Sequence, residues 1–209
     1  MKNKEKSIAV LDWAYETAIN GIPMVSEPLN EFVQSYINKY GRTEKAIDKM
    51  ITAQKLKCGT TGFLTGLGGL ITLPATLPAD LASSLYMEIR MIASIAILRG
   101  YNVNDDEVKT LIYMCLVGNA IGDVIKNAGI KTAQSIAAKK LLPLLSKELI
   151  KKINQAVGFR LITKGGTKGI VNAGKMIPIF GGIVGGTWNV VEVGIYAKYA
   201  KKMFNENYN

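Results

Sequence analysis

Between Cys58 and Ala79 the chain runs twenty-two residues, CGTTGFLTGLGGLITLPATLPA, without one charged side chain, and Asp80 closes the run. About 20 apolar residues suffice to cross a bilayer. This stretch strains the other requirement of a span, that every backbone group be paired within the segment. Gly59, Gly62, Gly66, Gly68 and Gly69 thin its apolar surface, and Pro74 and Pro78 each remove a donor and disfavour helix at the residue before. The pattern predicts a Gly-rich helix, a Pro-bounded turn and a second helix from about Pro78, a hairpin packed closely on its neighbours. Asp80 in the first turn suits a helix N-terminus.

Nearly every other segment repeats at the helical period, and no strand alternation stands out. Helices are predicted over about Ser7–Ile19, Pro28–Tyr40, Thr43–Lys57 and Pro78–Leu98, with stops at Asn20-Gly21, Gly41 and Arg99-Gly100. Asn104 with Glu107 three residues on reads as a capping box, opening one long helix towards Asn127. Two basic helices follow at about 131–142 and 146–157, split by Pro143. A second Gly-rich, low-charge run, Met176–Val191, continues as a helix to about Phe204. The expected fold is all-α, a single bundle of eight to ten helices with the Gly-rich hairpins 59–98 and 176–204 side by side at its centre. Residues 1–56 are expected to pack as N-terminal helices on a main domain at 57–204, leaving a tail at 205–209.

Spacing gives the glycines a role. Gly62/Gly66, Gly118/Gly122, Gly181/Gly185 and Gly182/Gly186 are each four apart, which on a helix places small residues on one face and lets backbones approach closely.

Charge is segregated. Residues 1–125 carry 12 basic and 13 acidic side chains, whereas Lys126–Lys175 holds 11 basic residues against Glu148 alone, which accounts for the whole net charge of +10. Ten of those eleven are lysine and Phe159 is the block's sole aromatic. Base stacking and bidentate guanine reading therefore lack their usual side chains, and nucleic acid is disfavoured as a partner. An anionic membrane surface needs only lysine-rich faces beside apolar ones. Lys139, Lys140, Lys147, Lys151, Lys152, Arg160, Lys164 and Lys168 are the candidate surface cations.

Histidine is absent, which removes Ser-His-Asp and Cys-His catalysis and the HExxH zinc pattern. Cys58 and Cys115 lack CxxC spacing and read as reduced thiols. No cofactor or metal site is expected. The remaining polar candidates sit on apolar helices, where ionisable groups are costly unless paired. Asp80, Ser84 and Glu88 recur every four residues, Arg90 lies off that stripe, and Asn119 and Asp123 lie on the next long helix, with Asp123 the expected partner of Arg90 and Glu192 the second choice.

Several stretches together resemble the EcsC family of bacterial proteins. They are GFLTGLGGLITLPATLPADLASSLYMEIRMIASIAILRG from Gly62 to Gly100, Cys115-Leu-Val-Gly118, AVGFRLITKGGTKG at 156–169 and Ile177-Pro178-Ile-Phe-Gly-Gly182. The likeness covers about Lys57–Phe204. The family is named for the third gene beside an ABC transporter pair, and the resemblance implies a largely helical, membrane-linked bacterial protein, with no catalytic residues to carry over. The resulting expectation is a non-enzymatic protein peripheral to the cytoplasmic face of the membrane, accessory to a transport system, partnered by anionic lipid, by a membrane protein or by itself. Two alternatives stay open: a pore-forming effector whose Gly-rich hairpins insert, and a hydrolase or ligand-binding protein using Asp80, Glu88 or Asp123.

Overall fold

Helical period, not alternation, governs the chain, and the computed structural model follows it. The structure describes residues 2–59, 79–130, 136–165 and 186–205. Among these are nine α-helices and no strand: α1 (Lys2–Asn20), α2 (Leu29–Tyr40), α3 (Glu44–Gly59), α4 (Ala79–Leu98), α5 (Asp106–Cys115), α6 (Ile121–Asn127), α7 (Ala138–Leu141), α8 (Lys147–Gly165) and α9 (Gly186–Met203). The all-α bundle of eight to ten helices is thus present.

Local chemistry sets the boundaries. The α1–α2 connection turns at Gly21, whose φ of 79° suits glycine, and an added Cβ there would lie 2.5 Å from the Ser26 carbonyl oxygen. Thr43 caps α3, its Oγ1 accepting the Ala46 N–H at 3.3 Å. The expected capping box at Asn104 does not form. Helix α5 starts one residue later, after Asp105, and the Asp105 carboxylate accepts from the Asn102 side-chain amide at 2.7 Å instead of capping the helix.

A larger departure follows. The single long helix expected to reach Asn127 breaks after Cys115, passes through a 3₁₀ turn at Gly118–Ala120 and resumes as α6 at an angle of 118°. Gly118 adopts φ 52°, left-handed geometry that no α-helix continues through. Helix α9 seals the break, with Ile195 Cγ2 3.2 Å from where a Gly118 Cβ would stand. Gly118 and Gly122 therefore do not share a helix face. Gly118 is buried in the turn, while Gly122 is exposed with nothing near its absent Cβ. Downstream, α7 is one turn, followed by a 3₁₀ turn around Pro143, and α8 runs to Gly165, past its expected end.

Helix α4 is the bundle's axis, packed by α1, α2, α3, α5 and α9. From Ala82 to Ala96 all its residues are buried except half-exposed Ser84, as suits a helix apolar on all sides. Helix α1 lies across α4 and α8, α3 against α9, and α5 against α8. The second arms of both predicted hairpins, α4 and α9, are in contact. Their first arms lie outside the described residues, as do Gly62, Gly66, Gly181, Gly182 and Gly185; Gly186 opens α9. No single described helix is long and apolar enough to cross a membrane; only the bent pair of α5 with Gly118–Asn127 meets the length and composition test jointly.

Candidate functional site

The polar residues singled out on the apolar helices do not converge. Ser84 is half-buried and Glu88 buried on α4, and the Asp80 side chain lies outside the described residues. Asn119 is exposed at the helix break and accepts a hydrogen bond from the Tyr199 hydroxyl of α9 at 2.6 Å. Asp123 is exposed on α6, 3.9 Å from the Arg160 guanidinium of α8. Arg90 does not meet it, because the 118° break swings α6 towards α8.

Arg90 instead reaches the α1–α2 connection. Buried to 5% exposure, it donates from Nη1 to the Ala18 carbonyl at 3.0 Å and from Nη2 to the Glu27 carbonyl at 2.7 Å. Its guanidinium carbon stands 5.0 Å from the centroid of the Phe32 ring. Burial pulls its pKa below the ordinary value, opposed by Tyr86 and the Glu27 carboxylate. Beside it opens a cavity of about 120 Å³, walled also by Ser26, Gln54, Phe32 and Tyr86. The Ser26 and Tyr86 hydroxyls bond to each other at 2.6 Å, and Gln54 Nε2 donates to the Met87 carbonyl at 3.0 Å. Sequence patterning marked Arg90 but not this set of neighbours, which come from α1, the α1–α2 connection, α2, α3 and α4.

A second polar knot joins α1 to α5. Lys109 Nζ lies 2.8 Å from Asp12 Oδ1, to which Tyr113 also donates at 3.1 Å, and the same ammonium faces the Tyr15 ring at 5.1 Å. Burial, reinforced by Asp12, drives the Tyr113 phenol far above its ordinary range. Tyr15 donates to the Val103 carbonyl at 2.5 Å and is likewise pushed up, by burial first and then by Asp105 and Asp106. These groups hold two helices together. Among the described residues no group of three or more His, Cys, Asp or Glu could hold a metal ion.

The basic block forms a surface. Lys139 and Lys140 of α7 and Lys147, Lys151, Lys152 and Arg160 of α8 are all exposed; the Lys164 side chain and Lys168 lie outside the described residues. Helix α8 buries Ile153, Val157 and Leu161. At 100° per residue, Lys151, Lys152 and Phe159 fall on the opposite side and Lys147 on the flank. Phe159 is 50% exposed there, and Leu144, in the turn joining α7 to α8, is 44% exposed. An open groove of about 410 Å³ runs beside Phe159 between α6 and α8, lined by Val124, Ala128, Ala156 and Lys152. The charge block predicted the cations of this face but not its two apolar side chains.

On its other flank α8 meets α1 through Gly158. An added Cβ would lie 3.0 Å from the Ser7 carbonyl oxygen and 3.1 Å from its carbon. This glycine carries a close backbone approach that four-apart spacing did not single out.

A family model for the EcsC protein family matches residues 41–206, beginning earlier than the likeness visible by motif and leaving α1 and α2 outside it. No curated protein and no solved structure matches the chain.

Proposed function

The chain belongs to the EcsC protein family, and we propose that it is a non-enzymatic protein that binds the anionic surface of a bacterial membrane through the α7–α8 face. One observation carries this reading. All six described cations of that face are exposed, and two of the four large hydrophobic side chains exposed among the described residues lie beside them, Phe159 on α8 and Leu144 in the turn that joins α7 to α8. Each lysine or arginine near an anionic surface contributes about 1 kcal/mol, so six suffice for reversible adsorption. Phe159 and Leu144 enter the headgroup layer, where apolar burial adds to the electrostatic attraction. Lysine suits this role, since headgroup phosphates are met as point charges and need no forked donor.

Vesicle flotation with and without phosphatidylglycerol tests the proposal. The chain should float only with the anionic lipid and detach as salt rises, because such attraction is screened within about 10 Å at 0.1 M. Lys151→Glu with Lys152→Glu should abolish flotation, and Phe159→Ser should weaken it while preserving the salt dependence. Binding that is absent, or indifferent to lipid charge and salt, overturns the reading.

A further inference from the structure

We propose that the cavity beneath the α1–α2 connection is a binding site for one small oxyanion, a carboxylate or inorganic phosphate, held by the Arg90 guanidinium and the Ser26–Tyr86 hydroxyl pair. This site is separate from the membrane-facing surface and does not depend on it.

The donors count in its favour. A guanidinium has five N–H groups, and Arg90 donates one to Ala18 and one to Glu27, both neutral backbone carbonyls. No ion pair reaches it among the described residues, and its guanidinium is held by two carbonyls and the Phe32 face. The Glu27 carboxylate favours the charged form from beyond ion-pair distance, on a residue exposed to water. A buried charge with no counter-ion at contact distance is costly, and an anion in the adjoining space, which Glu27 also lines, would supply that contact.

The hydroxyls supply a further donor. Ser26 Oγ accepts the Ile22 N–H at 2.9 Å and shares one hydrogen with Tyr86 at 2.6 Å. Two hydroxyls bring two hydrogens and the pair uses one, so whichever group donates, one remains for a ligand. Tyr86 is 1% exposed and fixed on α4, which holds this donor in place. The volume of about 120 Å³ far exceeds the about 10–15 Å³ that one water needs, which leaves room for an anion the size of acetate or phosphate.

The test is thermal melting of the full chain in sodium phosphate or sodium acetate against sodium chloride at equal ionic strength. A ligand that binds only the folded state raises the melting temperature with the logarithm of its concentration above Kd, and the concentration at which the rise sets in, about Kd, is its midpoint. At least one of the two oxyanions should do so beyond chloride. Tyr86→Phe leaves every charge in place and removes the hydroxyl; it should raise the midpoint concentration about tenfold or more, the worth of a hydrogen bond to a charged group. Arg90→Lys, which keeps the charge but loses the fork, should weaken binding at least as much. Melting that follows chloride for both oxyanions, or midpoints unchanged in Tyr86→Phe and Arg90→Lys, overturns the proposal and leaves Arg90 a staple of the α1–α2 connection.

Discussion

Replacing Gly158 sets two effects of known sign against each other. In a helix interior, glycine to alanine is favourable by about 1 kcal/mol through backbone entropy. At this position the new methyl would stand 3.0 Å from the Ser7 carbonyl oxygen, where ordinary contact begins near 3.4 Å. The obstacle is backbone and cannot rotate aside, so α1 must retreat by about 0.4 Å where it crosses α8. Overpacking of this kind typically costs 1–3 kcal/mol, so the net for Gly158→Ala is a loss of about 1 kcal/mol. In a chain this long that lowers the melting temperature by about 2–4 °C. Gly158→Val adds two more methyls and should cost about three times as much. The internal control is Gly122→Ala, also helical but exposed and with nothing near its Cβ, which should gain the full propensity term and melt about 2–4 °C higher. Thermal and urea denaturation of the three variants decide it. If Gly158→Ala stabilises as much as Gly122→Ala, α1 is not seated at Ser7 and the packing argument is wrong.

Arg90→Ala should destabilise by about 1–3 kcal/mol, since it strands the buried Ala18 carbonyl, with Arg90→Met milder because its chain fills the space; equal urea midpoints for Arg90→Ala and the unaltered chain would show a solvent-facing residue. Gly118→Ala forces a Cβ into left-handed backbone, costing about 1–2 kcal/mol, and crowds Ile195 as well, so its melting temperature should fall. Burial pushes the Cys115 thiol and the Tyr15 and Tyr113 phenols up. In the unfolded chain these groups ionise near their ordinary values of about 8.5 and 10. Stability should therefore hold below about pH 8 and drain away as pH rises beyond those values, which a urea series from pH 7 to 11 will read. Cys115 should also resist alkylation in the native state at pH 9, since the thiolate is the reactive form.

Particular residues show where the sequence was legible. Helices α2, α3 and α4 begin and end within about two residues of expectation, because each joins an apolar stripe to a glycine stop or a cap beside it. The break after Cys115 left no such mark. At 100° per residue Ile121, Val124 and Ile125 fall opposite the stripe of Val108, Leu111, Ile112 and Cys115, but the apolar Leu116 and Val117 between them bridge the two faces and blur the change of phase, while α9 packs over the left-handed Gly118. The partners of Arg90 were illegible for another reason: they are backbone carbonyls at Ala18 and Glu27, which every residue possesses. Pairing by side-chain chemistry therefore pointed to Asp123. Gly158 stands alone between Val157 and Phe159, and its role appears only when α1 is laid across α8. The cationic face was half visible, since charge can be counted along the chain whereas the exposure of Phe159 depends on what α8 packs against.

The seat of α1 on α8 also bears on how the chain is made. Ser7 leaves the ribosome about 150 residues before the Gly158 it must touch. At 5–20 residues per second that is a wait of about 7–30 s. Throughout it Val10, Leu11, Ala14 and Ala18, all buried in the finished molecule, can find only part of their cover from α4. Helix α3 waits in the same way for α9. Helices α8 and α9 close the bundle, so its folding waits on their synthesis, and its earliest apolar surface is what a chaperone would hold meanwhile.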